Sequence, residues 1–166
     1  VIIGLSLSQF TTLHVAISLI AIVTGLIAMP AFAARRRMPR MTAAFLLTTM
    51  LTTLTGFLFP VSTITPAFVT GLVSTLVILV ALSAIYGFGL RGRAGVTYAV
   101  SATMALWLNL FVLVVQAFLK VHALNALAPN GREAPFAAAQ AAVLIGMVAL
   151  GWAAVRAARR RRRIAL

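Results

Sequence analysis

The sequence predicts an all-α membrane protein, one bundle of five transmembrane helices occupying residues 1–166. Three observations carry this. Hydrophobic residues make up 63% of the chain and charged residues 9%, whereas a soluble domain needs about 25% charged residues to face water. Mean hydropathy is +1.10, and the apolar residues gather into five segments of the length, roughly 17–25 helical residues, that a hydrocarbon core of about 30 Å requires. The basic residues collect at the ends of those segments, and Glu133 is the one acidic side chain.

The first span is placed at residues 10–34. It lacks a basic start, is too long for a secretory signal, and ends in an arginine run that halts translocation, so it stays in the membrane. The chain begins at Val1 and not Met, which is read as a short missing start. Thr11, His14, Ser18, Ala21, Gly25 and Ala28 follow alternating three- and four-residue steps. That makes a small or polar seam along which membrane helices can approach closely. The second span, 42–59, carries Thr48, Thr49, Thr52, Thr53 and Thr55 before Gly56; such hydroxyls can bond back to carbonyls one turn earlier and need no partner helix. The third, 66–90, opens on Pro66, which suits a first helical turn where a missing N–H costs nothing, and offers Gly71, Ser74 and Thr75 as its seam. Gly92 and Gly95 flank a tight turn.

The fourth span, 96–121, is the unusual one. Asn109, Gln116 and Lys120 lie at i, i+7 and i+11, within about 40° of one another around a helix. A membrane helix keeps such groups where a neighbour, a cavity or the water interface satisfies them, so the other four spans are expected to shelter this stripe. After a wet loop around Pro129–Pro135 the fifth span, 135–157, opens on Pro135 and carries Ala139, Ala142, Gly146, Ala149 and Ala153 as a second small-residue seam. The connections are short, so consecutive helices should be antiparallel neighbours. No internal repeat is evident.

Orientation follows from the charges. Arg35, Arg36, Arg37 and Arg40 follow the first span, Arg91 and Arg93 the third, and Arg156 with Arg159, Arg160, Arg161, Arg162 and Arg163 form the tail; only Lys120 and Arg132 stand on the other side. Such asymmetry in short loops puts the amino terminus outside and the carboxyl terminus in the cytoplasm, with the arginines anchored on anionic lipid headgroups. The net charge of +13 does not indicate nucleic acid, because no base-reading or stacking aromatics accompany these clusters. With no cysteine, disulfides, thiolate metal sites and cysteine nucleophiles are all excluded.

The candidate ligand-binding residues are His14, Asn109, Gln116, Lys120 and Gln140, which would form a polar pocket toward the outer leaflet. The plainer reading makes the amides interhelical glue and lets Lys120 snorkel to the interface. His14 and His122, the only histidines, could serve one haem at most. Zinc would need further ligands and only Glu133 is on offer. No cofactor is therefore predicted; a quinone or a haem stand as the alternatives. No predicted span holds an Asp or Glu, so the acids that couple ion transport are missing. No Gly-x-Ser-x-Gly turn or acid-oriented histidine marks a hydrolase. Enzymatic activity is not expected, with a redox role through a bound cofactor left open.

The stretch Asn109-Leu-Phe-Val-Leu-Val-Val-Gln116-Ala-Phe-Leu-Lys120-Val, followed by Ala126-Leu-Ala-Pro129, Ala134-Pro135-Phe136 and Gln140, resembles a family of small, uncharacterised bacterial integral membrane proteins. Leu13-His14 and Thr55-Gly-Phe-Leu-Phe-Pro60 share the likeness. His122 stands where that pattern has a proline after Lys-Val, and Ala134 where it has a proline pair. The resemblance implies the membrane fold and the polar stripe and assigns no reaction. Together these readings point to a multi-pass protein of a bacterial inner membrane. Its expected role is as an accessory or assembly subunit of a larger respiratory or photosynthetic complex, or as a self-associating oligomer. A binder of a quinone, lipid or small solute is the competing class, and a channel along the stripe ranks third.

Overall fold

The computed structural model describes residues 2–60 and 66–164. Five long helices follow one another: α1 (Leu7–Ala33), α2 (Pro39–Gly56), α3 (Pro66–Leu82), α4 (Ala94–Lys120) and, after the short α5 (His122–Leu127), α6 (Ala134–Ile164). Local chemistry sets their ends. Ser6 and Gln9 form a reciprocal capping box, Ser6 Oγ accepting from the Gln9 N–H and Gln9 Oε1 from the Ser6 N–H; two of the four orphan donors are satisfied, and α1 starts three residues earlier than the hydropathy predicts. Pro39 opens α2 and Pro66 opens α3, while Pro135 is the second residue of α6, all within a first turn. Arginine is a good helix former and cations suit a helix carboxyl end, so α6 runs through the arginine tail to Ile164, well past the predicted end at 157. Its 31 residues span about 46 Å at 1.5 Å each, longer than a hydrocarbon core. The predicted third span ends differently: α3 passes into a π-helical turn, Ser83–Gly87, and Gly89, Leu90 and Gly92 take left-handed φ values of 56°, 60° and 56°.

The long helices pack up-and-down, as short connections require. Between α1 and α2 the contacts Phe10–Phe59, His14–Thr55 and Gly25–Phe45 step along the two elements in opposite directions. Between α4 and α6, Gly95 faces Ala158, Thr103 faces Gly151, Phe111 faces Gln140 and Phe118 faces Phe136. Helix α4 is the hub, touching α1, α2, α3 and α6. Its Tyr98, Ala99, Ala102, Ala105 and Leu106 join Met29, Phe45, Leu46, Ile78 and Ala154 in one buried core. Small side chains on α4 let its neighbours close in on the buried faces, which matters in lipid, where packing replaces the hydrophobic drive to associate.

The α1 seam behaves as its spacing predicts: Ala21, Gly25 and Ala28 are buried, and Thr11, His14 and Ser18 are half-buried above them. The α6 seam does not. Ala142, Gly146 and Ala149 are exposed, and nothing lies within 4 Å of where a Gly146 Cβ would be. The face turned inward instead carries Val143, Met147, Leu150, Gly151, Ala154 and Ala158. Gly95 flanks the 92–93 turn from inside α4; it is buried in the helix's first turn, where an added Cβ would stand 3.2 Å from the Leu90 carbonyl and 3.7 Å from Ala158.

Four helices, α1, α3 with its π turn, α4 and α6, are long and apolar enough to cross a membrane. The chain is thus a helical membrane bundle. Helix α2 is not among these four; its 18 residues include Arg40 and six threonines, yet it lies alongside α1 from Phe45 to its end.

Candidate functional site

The polar residues of the spans are used mainly to tie helices together. Asn109, on the hub helix, donates through Nδ2 to Thr49 Oγ1 of α2 at 3.1 Å, and Thr49 is almost fully buried. Gln140 of α6 donates through Nε2 to the Phe111 carbonyl of α4 at 3.2 Å. His14 of α1 meets Thr55 of α2 at 2.8 Å through Nδ1. The Thr55 hydroxyl donates to the Leu51 carbonyl at 2.7 Å, leaving its oxygen lone pair for a proton on His14 Nδ1 and placing the neutral ring's free lone pair on Nε2. The His14 ring stands edge-on to Phe59, which in turn packs on Phe10. Each of the three bonds joins a different pair of helices, α2–α4, α4–α6 and α1–α2.

The five predicted pocket residues are therefore divided. Asn109, Gln140 and His14 are half-buried and each is engaged with its own partner, whereas Gln116 and Lys120 are exposed. The expectation of a continuous sheltered stripe fails over the last third of α4. The angular agreement of Asn109, Gln116 and Lys120 holds, but the neighbours that bury α4 thickly from Gly95 to Leu108 fully bury Phe118 alone beyond Asn109 and leave Gln116 and Lys120 outside. Lys120 in the last turn suits the helix carboxyl end and is placed to snorkel to the interface.

Sequence reasoning missed the partners and the orphans. Thr48, Thr53 and Thr55 bond back to carbonyls one turn earlier, as predicted. Thr49 instead takes the Asn109 amide, and Thr52 Oγ1 is buried with no hydrogen-bond partner among the described residues. Trp107 Nε1 and Gln140 Oε1 share that condition. The Trp107 ring lies tilted against that of Phe111, whose carbonyl holds Gln140, so a buried donor and a buried acceptor are gathered near one residue. No periodicity distinguishes a threonine that bonds back from one that bonds across, since both sit on the same helix face.

The arginines form one end of the molecule. Phe32 in the last turn of α1 meets Tyr98 in the second turn of α4 edge-on, and Gly95 adjoins Ala158 of α6. Arg35–Arg37, Arg91, Arg93, Arg159 and Arg160 consequently cluster around the same pole, all exposed. Arg156 lies over the Trp152 ring at 4.4 Å, a cation–π contact. The helix continues through Arg161, Arg162 and Arg163, whose side chains lie outside the described residues. At the other pole Glu133 closes the α5–α6 loop. Its Oε1 accepts from the Asn130 backbone N–H at 3.1 Å and from Asn130 Nδ2 at 2.8 Å, and Oε2 from the Arg132 backbone N–H at 2.9 Å. The Arg132 N–H, with Asn130 in support, holds the carboxyl at about 2, well below its ordinary value.

His122 is exposed at the start of α5, and among the described residues no three histidine or acidic side chains gather as a metal-binding group. The geometry thus provides interhelical polar ties, one strongly basic pole and an uncovered face of α6. Compared with protein-family models, curated proteins and solved structures, the chain matches none of them.

Proposed function

We propose that the chain is a five-pass protein of a bacterial inner membrane, amino terminus outside and carboxyl terminus in the cytoplasm, whose role is association. It would serve as an accessory or assembly subunit of a larger membrane complex, respiratory or photosynthetic in kind, or assemble with its own copies. In this reading it catalyses no reaction of its own and needs no cofactor. The observation that carries the proposal is the open face of α6. Only 6% of its most apolar stretch is buried within the bundle, against 28% for α1 and 33% for α4. Ala142, Gly146 and Ala149 lie on that face with Ile145, Val148 and Trp152 beside them. Small groups on a lipid-facing surface are what lets a second helix approach closely enough to pack.

The five-pass topology is supported by the antiparallel pairing of α2 with α1. Where α1 crosses, a helix lying along it, about 27 Å long at 1.5 Å per residue, crosses as well, with the Thr48, Thr53 and Thr55 hydroxyls bonded back to their own backbone. The basic pole supports the orientation.

Native mass spectrometry of protein extracted in mild detergent tests the association. The account expects a complex larger than the monomer, and its loss in Gly146→Leu with unchanged thermal stability, because Gly146 contacts nothing within the bundle. A lone monomer, in detergent and after cross-linking in the membrane, overturns it. The competing reading, a quinone, lipid or small solute held near His14, Asn109 and Gln140, draws on two of the three unpartnered buried side-chain atoms among the described residues, Trp107 Nε1 and Gln140 Oε1. It predicts that Asn109→Leu abolishes ligand binding with little loss of stability.

A further inference from the structure

Where α3 gives way to α4, the chain does something that a simple helical hairpin does not require. The π turn widens the end of α3, with the Phe88 N–H reaching back to the Ser83 carbonyl at 3.0 Å and the Leu90 N–H to Ala84 at 3.1 Å. Leu90 then sits at a φ of 60°, a conformation that costs an ordinary side chain roughly 1–2 kcal/mol, between two left-handed glycines. The result is an open cleft of about 910 Å³ between the π turn, the 88–93 loop and the first turn of α4. Leu79 and Val80 form its apolar floor, Tyr86 and Phe88 its flanks and Arg91 and Arg93 its rim. Tyr86 and Phe88 are 62% and 67% exposed, large aromatics left outside the bundle at the level where aromatic residues gather in membrane proteins, the headgroup boundary.

We propose that this cleft binds one anionic phospholipid, its phosphate between Arg91 and Arg93 and an acyl chain along Leu79 and Val80. Two features select this occupant. The first is charge. The chain has one acidic side chain, and Glu133 is at the opposite pole, taken up by the 130–132 backbone, so it neutralises neither arginine. Guanidinium groups at a rim favour phosphate, which they can meet with paired, charge-assisted hydrogen bonds. The second is the continuity of the basic rim with an apolar floor on the outer side of α3, where Leu79 and Val80 are both exposed. An amphiphile satisfies both at once; a free anion would leave the floor uncovered. The site is distinct from the general attraction of the basic pole for headgroups, and it stands whichever way the association reading of α6 is decided.

Delipidated full-length protein in detergent, titrated with phosphatidylglycerol, phosphatidylcholine or inorganic phosphate and read by native mass spectrometry, tests the assignment. Phosphatidylglycerol should bind with one-to-one stoichiometry and at least tenfold more tightly than phosphatidylcholine. Arg91→Ala and Arg93→Ala should each weaken it roughly fivefold, whereas Arg159→Ala, at the same pole but outside the cleft, should not. Val80→Trp, which fills the floor without changing charge, should weaken phosphatidylglycerol as much as an arginine loss does. All four positions are exposed, and an unchanged melting temperature verifies that each variant is folded. Equal affinity for the two lipids, or an Arg159→Ala effect equal to that of Arg91→Ala, overturns the proposal. Inorganic phosphate binding as tightly as phosphatidylglycerol, with Val80→Trp silent, overturns the lipid assignment as well.

Discussion

Gly25 of α1 lies against Phe45 of α2 and Leu106 of α4, and adding one methyl group there tests whether that junction is packed as described. A Cβ on Gly25 would stand 2.7 Å from Leu106 Cδ1 and 2.8 and 2.9 Å from the Phe45 ring, distances at which something must move. Neither neighbour has room, since Phe45 and Leu106 are both fully buried. Overpacking of this kind typically costs about 1–3 kcal/mol. Three contacts under 3.0 Å put the clash in the upper part of that range, about 2–3 kcal/mol; alanine returns about 1 kcal/mol in helix propensity over glycine, so Gly25→Ala should destabilise the bundle by about 1–2 kcal/mol. For a chain of this size that is a fall in Tm of about 2–8 °C. Gly146→Ala is the matched control: the same substitution on a helix, with nothing within 4 Å. It gains propensity without a clash, and Tm should hold or rise by up to about 4 °C. Thermal unfolding of the two variants in one detergent, followed by circular dichroism, compares them. Equal shifts, or a Gly25→Ala protein as stable as wild type, would refute the three-helix junction.

The other predictions concern the polar groups. A double-mutant cycle of Asn109→Leu and Thr49→Val should return a coupling near 0.6 kcal/mol and below about 1.7 kcal/mol; zero coupling would mean the Asn109–Thr49 bond does not tie α4 to α2. Thr55→Val removes the hydroxyl that holds His14 Nδ1, and the His14 imidazole nitrogen shifts should change in nitrogen NMR spectra while those of His122 stay fixed. Glu133 should titrate near pH 2, not 4.5, because its carboxylate is stabilised in the folded loop. A folded-state value below the unfolded one means its contribution is fully present above pH 4.5 and is lost as pH falls through about 2. The Asn130 amide proton shift reports this directly, and a midpoint near 4.5 would contradict it.

Fold class and helix order were legible because each depends on a signal spread over many residues. Five apolar runs, a basic residue cluster at alternate ends and Pro66 or Pro135 in first turns point to the same up-and-down bundle. The α1 seam was legible for a similar reason: in an otherwise bulky helix, Ala21, Gly25 and Ala28 are the small residues that recur in step. On α6 a seam of the same spacing is turned away from the bundle. Alanines occur on every side of that helix, so spacing selects none, and the inward face is the one on which Met147 and Leu150 pack against the core and Gly151 meets Thr103 of α4. The stripe on α4 shows another limit. Helical spacing fixes the angle at which Asn109, Gln116 and Lys120 emerge but says nothing of how far along the axis the neighbours reach. The π turn at Ser83–Gly87 left no mark in composition, because its widening comes from the join between α3 and the left-handed 89–92 loop. Helix α2 illustrates the reverse case: its threonines lower its hydropathy, while Phe10–Phe59 and His14–Thr55 fix it along α1.

The count of crossings is the claim on which orientation, lipid contact and the open face of α6 all rest. The chain has no cysteine, so single cysteines placed at Ser6, Arg36, Asn130 and Arg159 can be labelled with a membrane-impermeant maleimide in intact cells and again after lysis. Labelling of Ser6 and Asn130 from outside, with Arg36 and Arg159 reached only after lysis, is the predicted result. Ser6 and Arg159 labelled from the same side, or Arg36 reached in intact cells, would contradict it.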